Sequence, residues 1–441
     1  MPFILKWLPM IRRIRRSVID YLYTGNSVKL QRADLIRSLP GGDFPKTERL
    51  KSLFVDVSII TQDDAQTGIQ RVVRAMLTEL QKKPPPGYKI YPVFATRKQS
   101  YHHVPRDFSL TNSGLGASVG MIKPITAGPG DIFLGLDLTA SILPTHHGQL
   151  ESWKKRGTTI HFLIYDLLPV LNPEWFHSRT TQNFYHWLKT IAILADSAIC
   201  ISNSVKNELE CWLKIKYGID EISLPIHTVP MGCDMDATLP STGLPAQSNE
   251  LLQKYAGAPT ALMLGTLEPR KGHMQVINAF EELWKRGYNY QLAIIGKPGW
   301  KTQTLQSYIN NHKELGQRLF WQKDASDQFI DQVFQRIFGL ISASKGEGFG
   351  LPLIEAAAYG KPILARDIPV FRETNIVTSY FDDDNCQILS NHIHNWFHRD
   401  NSNASPGSQL HTWKSSTDIL KNLICQENKN IPDSCAVEAR V

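Results

Sequence analysis

The sequence predicts an α/β protein made of two doubly wound, Rossmann-like domains that face a central cleft. Three observations lead there. At 441 residues the chain exceeds what a single hydrophobic core ordinarily serves, so two domains of roughly 150 to 220 residues are expected. Short β-rich runs alternate with helix-period patterns from residue 51 onward, the order that builds parallel sheets covered on both faces. Between two such series, residues 236–255 lose the strand pattern and gain Pro, Gly, Ser and Thr, which reads as a linker.

Residues 1–50 form a basic amphipathic segment in which Lys6, Arg12, Arg13, Arg15 and Arg16 sit among Phe3, Ile4, Leu5, Trp7, Leu8, Ile11, Ile14 and Ile19. It suits an anionic membrane surface, each cation contributing about 1 kcal/mol near the headgroups, and equally suits an ordinary surface helix. Arginines interrupt its apolar stretch and no small-residue cleavage site follows, so a secretory signal is not expected. The first domain, 51–235, has strands expected at 52–60, 88–95, 131–138, 158–168, 197–202 and 226–231. Its helices fall at 68–83 and 203–217, the second opening on a serine or asparagine cap. The second domain, 256–400, has strands expected at 260–265, 290–296, 318–322, 338–344 and 361–367. Helices are expected at 273–286, 302–314, 326–336 and from 352. Residues 401–441 read as a C-terminal helix and a loose tail.

Composition narrows the function class. The chain is 42% hydrophobic and 20% charged with a net charge of +7, which is globular and not disordered. Six scattered cysteines without a Cys-x-x-Cys pair argue against a disulfide framework and a zinc site, and read as reduced thiols in a cytosolic protein. No run of 18 or more uncharged apolar residues predicts a spanning helix. Neither a Gly-x4-Gly-Lys-Ser/Thr loop nor a Gly-x-Ser-x-Gly elbow occurs. "FDDDN" (381–385) reads as a solvated loop. His392, His394 and His398 lack a completing carboxylate or cysteine and read as surface residues, and His102, His103, His146 and His147 show no ligand spacing.

Ligands of open α/β sheets bind beyond the carboxyl ends of the strands, so the residues just after each strand carry the information. After 260–265 comes "GTLEPRKGH" (265–273), where Arg270 and Lys271 stand between a strand end and a helix. Arginine grips phosphate in a bidentate fork and lysine adds a point charge. After 338–344 comes "SKGEGFGLPLIEAAAYG" (344–360). Pro352 suits a first helical turn, so Glu355 falls about one turn in while Glu347 stays on the loop. Gly346, Gly348 and Gly350 permit close backbone approach, and the N–H groups from Phe349 to Leu351 point at an anion. Two carboxylates beside a phosphate must face other parts of the ligand, and sugar hydroxyls are their natural partners.

The second motif resembles the signature of the retaining nucleotide-sugar glycosyltransferases of family 4, with the GT-B fold. "GTLEPRKGH" resembles that family's diphosphate-binding turn, which opens on Gly265. "FVDVSIITQDDAQTGIQRVVRAML" and "FLIYDLLPVLNPEWF" resemble the bacterial mannosyltransferase-type branch. The resemblance implies that Glu355 holds the ribose hydroxyls, Arg270 and Lys271 neutralise the diphosphate, and Glu347 contacts the donor sugar. It implies that Gly348, Phe349, Gly350 and Leu351 hold sugar or phosphate, that Gly68 approaches the diphosphate or acceptor, and that Asp166 faces the acceptor. Two departures stand out: Tyr165 occupies a position that is histidine in many relatives, and "DDAQTGI" keeps one glycine where the family has a pair.

The implied activity is a metal-independent, retaining hexosyl transfer, with mannose from GDP-mannose as the donor. The acceptor is a saccharide or lipid-linked saccharide of lipopolysaccharide O-antigen, capsule or exopolysaccharide. The place is the cytoplasm, peripheral to the inner face of the membrane, with no nucleic-acid partner. A nucleotide-sugar-binding relative without turnover and a nucleotide-sugar epimerase are the other readings.

Overall fold

The computed structural model describes residues 25–40, 50–64, 67–105, 125–234, 241–399 and 410–426. The basic segment before residue 25, the first part of the expected linker and the expected tail lie outside them. The first domain holds β1 (Lys51–Asp56), β2 (Tyr88–Phe94), β3 (His102–His103), β4 (Ile132–Gly135), β5 (Thr159–Ile164), β6 (Ser197–Cys200) and β7 (Ile226–Thr228). They form one seven-stranded sheet in the order β3-β2-β1-β4-β5-β6-β7. Neighbours are parallel except β2 and β3, which pair antiparallel at the edge. The second holds β8 (Thr260–Leu264), β9 (Gln291–Ile295), β10 (Leu319–Gln322), β11 (Gly339–Ser342), β12 (Ile363–Arg366) and β13 (Ser379–Phe381). Its sheet order is β10-β9-β8-β11-β12-β13, parallel throughout. Both sheets reverse strand order once, between β1 and β4 and between β8 and β11, and ligands of such sheets bind at that reversal.

Local chemistry explains the element ends. Helix Gly68–Lys82 opens on a reciprocal capping box: Gln70 N–H donates to the Thr67 hydroxyl, and Thr67 N–H donates to the Gln70 side-chain oxygen. Its inner face buries Val72, Val73, Met76, Leu77 and Leu80, each such side chain contributing roughly 1.5–3 kcal/mol. Helix Asn203–Tyr217 starts on the Ser202 hydroxyl, which accepts from Val205 N–H at 3.1 Å, and stops at Gly218, whose φ of 62° is left-handed.

Two expectations change. The strand expected over 52–60 ends at Asp56, because that buried carboxylate accepts from Ser58 N–H at 3.0 Å and turns the chain into helix Ser58–Gln62. The expected linker 236–255 ends in a helix, Ser248–Gly257, which buries Leu252 and Tyr255 in the second domain's core. Helix Trp413–Gln426 crosses back to the first domain. Trp413, Leu420 and Ile424 join a core cluster with Leu53, Val55, Val72 and Leu77, and the helix packs on Gly68–Lys82. The crossing is tight: a Cβ on Gly232 would lie 2.4 Å from Trp413 N, and Asp234 accepts from Trp413 N–H at 2.6 Å.

Trp413 is 1% exposed, so Trp413→Ala is expected to destabilise the first domain by about 3–5 kcal/mol, read from urea unfolding. An unchanged midpoint would show that the helix does not support that core.

Candidate functional site

The loops after β8 and β11 are pressed together by backbone geometry. Gly272 has a φ of 71°, and a Cβ there would lie 2.6 Å from the carbonyl oxygen of Ala343, so only glycine fits both the dihedral and the space. Lys345 N–H donates to the Arg270 carbonyl at 2.8 Å, and the Arg270 guanidinium donates to the Gly346 carbonyl at 2.6 Å. The basic turn Pro269–Lys271 is thereby stitched to the glycine-rich loop.

An ion cluster follows from that contact. Glu347 receives Arg270 Nη1 on Oε2 at 2.8 Å and Lys271 Nζ on Oε1 at 2.5 Å. Arg270 Nε lies 2.8 Å from Glu268 Oε2. Burial pushes the Glu347 carboxyl up, but Arg270 and Lys271 outweigh it and hold the carboxyl at about 2. Burial also works against the charge on Arg270, and Glu347 and Glu268 overcome it, raising its pKa above the ordinary value. The Arg270 guanidinium therefore stays charged, and both Arg270 and Lys271 are oriented by carboxylates. Five guanidinium donors and three ammonium donors exceed what these partners use, which leaves donors for an anion.

Asp166, just beyond β5, completes the group. Burial raises its carboxyl to about 6, with Arg270 and the Leu168 N–H pulling down and Glu347 and Glu268 pushing up. Leu168 N–H donates to it at 3.0 Å. The structure thus brings Arg270, Lys271, Glu347 and Asp166 together from both domains at the β8/β11 reversal.

Glu355 is placed apart from that cluster. It sits in helix Leu351–Ala358 and lines a small crevice with Arg71, Gly232, Cys233, Ile354 and Trp413. Arg71, from helix Gly68–Lys82 of the first domain, donates Nη1 to Glu355 Oε1 and Nη2 to Asp327 Oδ1, the latter at 2.6 Å. Burial raises the Glu355 pKa while Arg71 opposes, and Glu355 raises that of Arg71. The sequence reading missed Arg71. An arginine one turn into an amphipathic helix carries no local sign that its partner lies in the other domain.

The glycine-rich loop also lies against the first domain. Gly348 faces the first domain: a Cβ there would lie 1.9 Å from the Tyr165 carbonyl oxygen, and its own carbonyl accepts from the Ser202 hydroxyl at 2.7 Å. A Cβ on Gly346 would lie 2.8 Å from Leu168 and 3.0 Å from Trp175. Phe349 and Leu351 are partly buried against the first domain's core, and Leu351 is the nearest neighbour of a Cβ on Gly68, at 3.5 Å. Bare backbone here admits the other domain. Gly350, with a φ of 101°, caps helix Leu351–Ala358, and the N–H groups of Phe349 and Gly350 have no backbone acceptor among the described residues. Gly265, with a φ of 126°, lies under the basic turn, 3.8 Å from Lys271 Nζ when given a Cβ.

Tyr165 is buried, and its hydroxyl donates to the Leu136 carbonyl at 2.7 Å. It packs in the core cluster with Leu136 and Leu163. His394 and His398 gather around the Tyr290 hydroxyl, the nearer nitrogen at 3.0 Å. No group of three or more His, Cys, Asp or Glu suited to a metal ion occurs among the described residues.

Arg71 stands between two carboxylates, Glu355 and Asp327. Arg71→Ala leaves Glu355 buried without its counter-charge, and the unfolding free energy at neutral pH is expected to fall by roughly 3 kcal/mol. Arg71→Lys should recover part of that, because an ammonium does not bridge both carboxylates as a planar fork does. Urea unfolding of the two variants checks the order.

Comparison with known proteins fits this geometry. Residues 247–409 match the family described as Glycosyl transferases group 1. The chain is 38% identical over 381 residues to the serotype-specific mannosyltransferase WbdA of Escherichia coli, an alignment covering 85% of this chain and 46% of that protein. The chain thus spans about half the length of the curated relatives it matches first. Among solved structures, sucrose-phosphate synthase from Thermosynechococcus elongatus superposes with a TM-score of 0.58 at 16% identity, covering 86% of this chain and 99% of that one. Anabaena HepE in complex with UDP and glucose gives 0.54 at 17% identity, covering 86% and 98%. The chain thus carries a group 1 glycosyltransferase region at residues 247–409, is similar over most of its length to part of a mannosyltransferase, and has the two-domain GT-B fold.

Proposed function

We propose that this chain is a retaining glycosyltransferase that moves mannose from GDP-mannose to a saccharide acceptor in O-antigen, capsule or exopolysaccharide synthesis. The observation that carries the reading is the convergence of Arg270, Lys271 and Glu347 where the strand order reverses between β8 and β11. Two cations fixed before the donor arrives need no reorganisation as charge develops on the leaving diphosphate. They supply in side chains the counter-charge of the leaving group, so no metal is required in this reading.

The donor spans both parts of the site. Glu355 keeps Oε2 for the ribose while Arg71 holds Oε1, Glu347 faces the sugar hydroxyls, and Arg270 and Lys271 take the diphosphate. The bond from the anomeric carbon to the diphosphate oxygen breaks, its electron pair leaving with the diphosphate. The acceptor oxygen bonds to the same face of that carbon and passes its proton to a departing phosphate oxygen. Asp166 orients the acceptor from the first domain.

Mannose as the sugar is supported by the resemblance to the mannosyltransferase branch and by the function of WbdA. The basic residues before position 17 support a lipid-linked acceptor at the inner face of the membrane. No helix among the described residues is long and apolar enough to cross one.

A thermal-shift panel tests the donor. GDP in large excess over its dissociation constant should stabilise the protein by a few kcal/mol, ahead of UDP and ADP, and a preference for UDP would overturn GDP-mannose. Lys271→Ala should lower kcat by about 10²- to 10³-fold in transfer assays with GDP-mannose and membrane extract, while nuclear magnetic resonance of the product reports retention. Release of nucleotide without an acceptor, together with a converted sugar, would point to an epimerase.

Asp166 gives a pH signature. Its pKa is raised, so the carboxyl is protonated below about 6 and ionised above it. If the ionised form positions the acceptor, kcat/KM climbs about tenfold per unit up to pH 6 and then levels. In Asp166→Asn that limb should vanish, and its persistence would assign the titration to another group.

A further inference from the structure

The Arg71 guanidinium reaches across the domains to two carboxylates at once. Nη1 donates to Glu355 Oε1, and Nη2 donates to Asp327 Oδ1 at 2.6 Å. Asp327 opens helix Asp327–Arg336, and its other oxygen, Oδ2, accepts from the N–H and the hydroxyl of Ser241 at 2.8 and 2.9 Å. Ser241 lies in the segment that joins the domains, and its hydroxyl oxygen in turn accepts from Asp327 N–H at 2.9 Å. One carboxylate thus ties helix Gly68–Lys82 of the first domain both to the second domain and to the joining segment.

This bridge leaves no room beside the carboxylate that the donor's ribose needs. The side chains of Arg71 and Asp327 are 19% and 18% exposed, and that of Glu355 only 6%. The hollow beside Arg71 and Glu355, bounded by Gly232, Leu351, Ile354 and Trp413, measures about 10 Å³, which holds one water at most. A pentose does not fit there while helix Gly68–Lys82 lies in place. Glu355 Oε2 has no partner among the described residues, yet a ribose reaches it only if that helix draws back. Arg71 permits this without abandoning Glu355, because its stem is long and flexible. Asp327 is fixed from behind by Ser241, so its bond to Arg71 is the one that must break.

We propose that the bond between Arg71 and Asp327 is a latch that holds the donor cleft shut on itself and opens for the pentose of the incoming nucleotide. The proposal rests on the reading of Glu355 as the carboxylate that meets the ribose, and not on which base or sugar the donor carries. A mostly latched protein binds its ligand more weakly than its open form does, in proportion to the open fraction. Releasing the latch therefore tightens nucleotide binding, whereas loss of an ordinary stabilising contact would weaken it or leave it alone.

The probes are GDP, UDP and ADP, which share the ribose, and Trp413, which borders the hollow, reports their binding to the full chain by its fluorescence. Asp327→Asn keeps an oxygen for Ser241 and removes the charge that holds Arg71, so it should bind the preferred nucleotide about fivefold more tightly. Asp327→Glu keeps the charge and should bind as the wild type does. In stopped-flow mixing the wild-type rate should level off at high nucleotide, at the rate of latch opening, and Asp327→Asn should level off higher. Nucleotide affinity that is equal in wild type and Asp327→Asn, or weaker in the variant, overturns the latch; transfer from GDP-mannose alongside it leaves the donor reading standing. A wild-type rate that rises in proportion to nucleotide throughout overturns the latch as well, whether or not the variants fold. UDP or ADP bound in preference to GDP, and more tightly by Asp327→Asn, keeps the latch and removes GDP-mannose as the donor. Failure of all three nucleotides to bind either protein overturns both.

Discussion

The contact on which the rest depends is the backbone approach of Gly272 to Ala343. It binds the end of β8 to the end of β11 at the one place where the second sheet reverses its order. From it follow the Lys345 to Arg270 backbone bond, the seat of the guanidinium on the Gly346 carbonyl, and the meeting of both cations with Glu347. A side chain at 272 would clash with backbone and not with a flexible tip, so the loops would have to part. The electrostatics of the site are thus downstream of a steric fact.

The two domains exchange several polar contacts. Gly348 lies on the Tyr165 carbonyl, Arg71 reaches Glu355 and Asp327, and Trp300 and Lys301 hold the turn before helix Ser178–Leu194. The Glu373 carboxylate accepts from the N–H groups of Asn203 and Ser204 at 2.6 and 3.0 Å, meeting the positive end of helix Asn203–Tyr217 from the opposite side. These contacts are directional and mostly partly exposed, unlike a continuous apolar seam. Interfaces of this composition within a chain are compatible with relative domain motion.

Much of the architecture was legible because its signals are local. Helix Asn203–Tyr217 has the bounds the sequence predicts, with Ser202 capping its start and Gly218 ending it, whereas the buried Asp56 ended a strand that the sequence extended to residue 60. The cluster of Arg270, Lys271 and Glu347 was legible because two strand-end motifs converge in any sheet of this order. What escaped were pairings without a local trace. Arg71 meets Glu355 across 284 positions, and the sign of its environment is invisible from its own helix. Gly348 looked like room for a phosphate, since a missing Cβ does not say which neighbour fills the space. Helix Ser178–Leu194, with Thr190, Ile191, Ile193 and several aromatics on its buried side, has too many β-branched and aromatic residues for its period to stand out.

The return of Trp413–Gln426 to the first domain has a consequence for biosynthesis. The groove on Gly68–Lys82 is complete in sequence long before its cover exists, since roughly 180 further residues separate β7 from Trp413. At translation rates of about 5–20 residues per second, that greasy strip waits on the order of 10–40 s on the ribosome. The half made first is therefore sealed last, and nascent chains of intermediate length are the species a chaperone would meet.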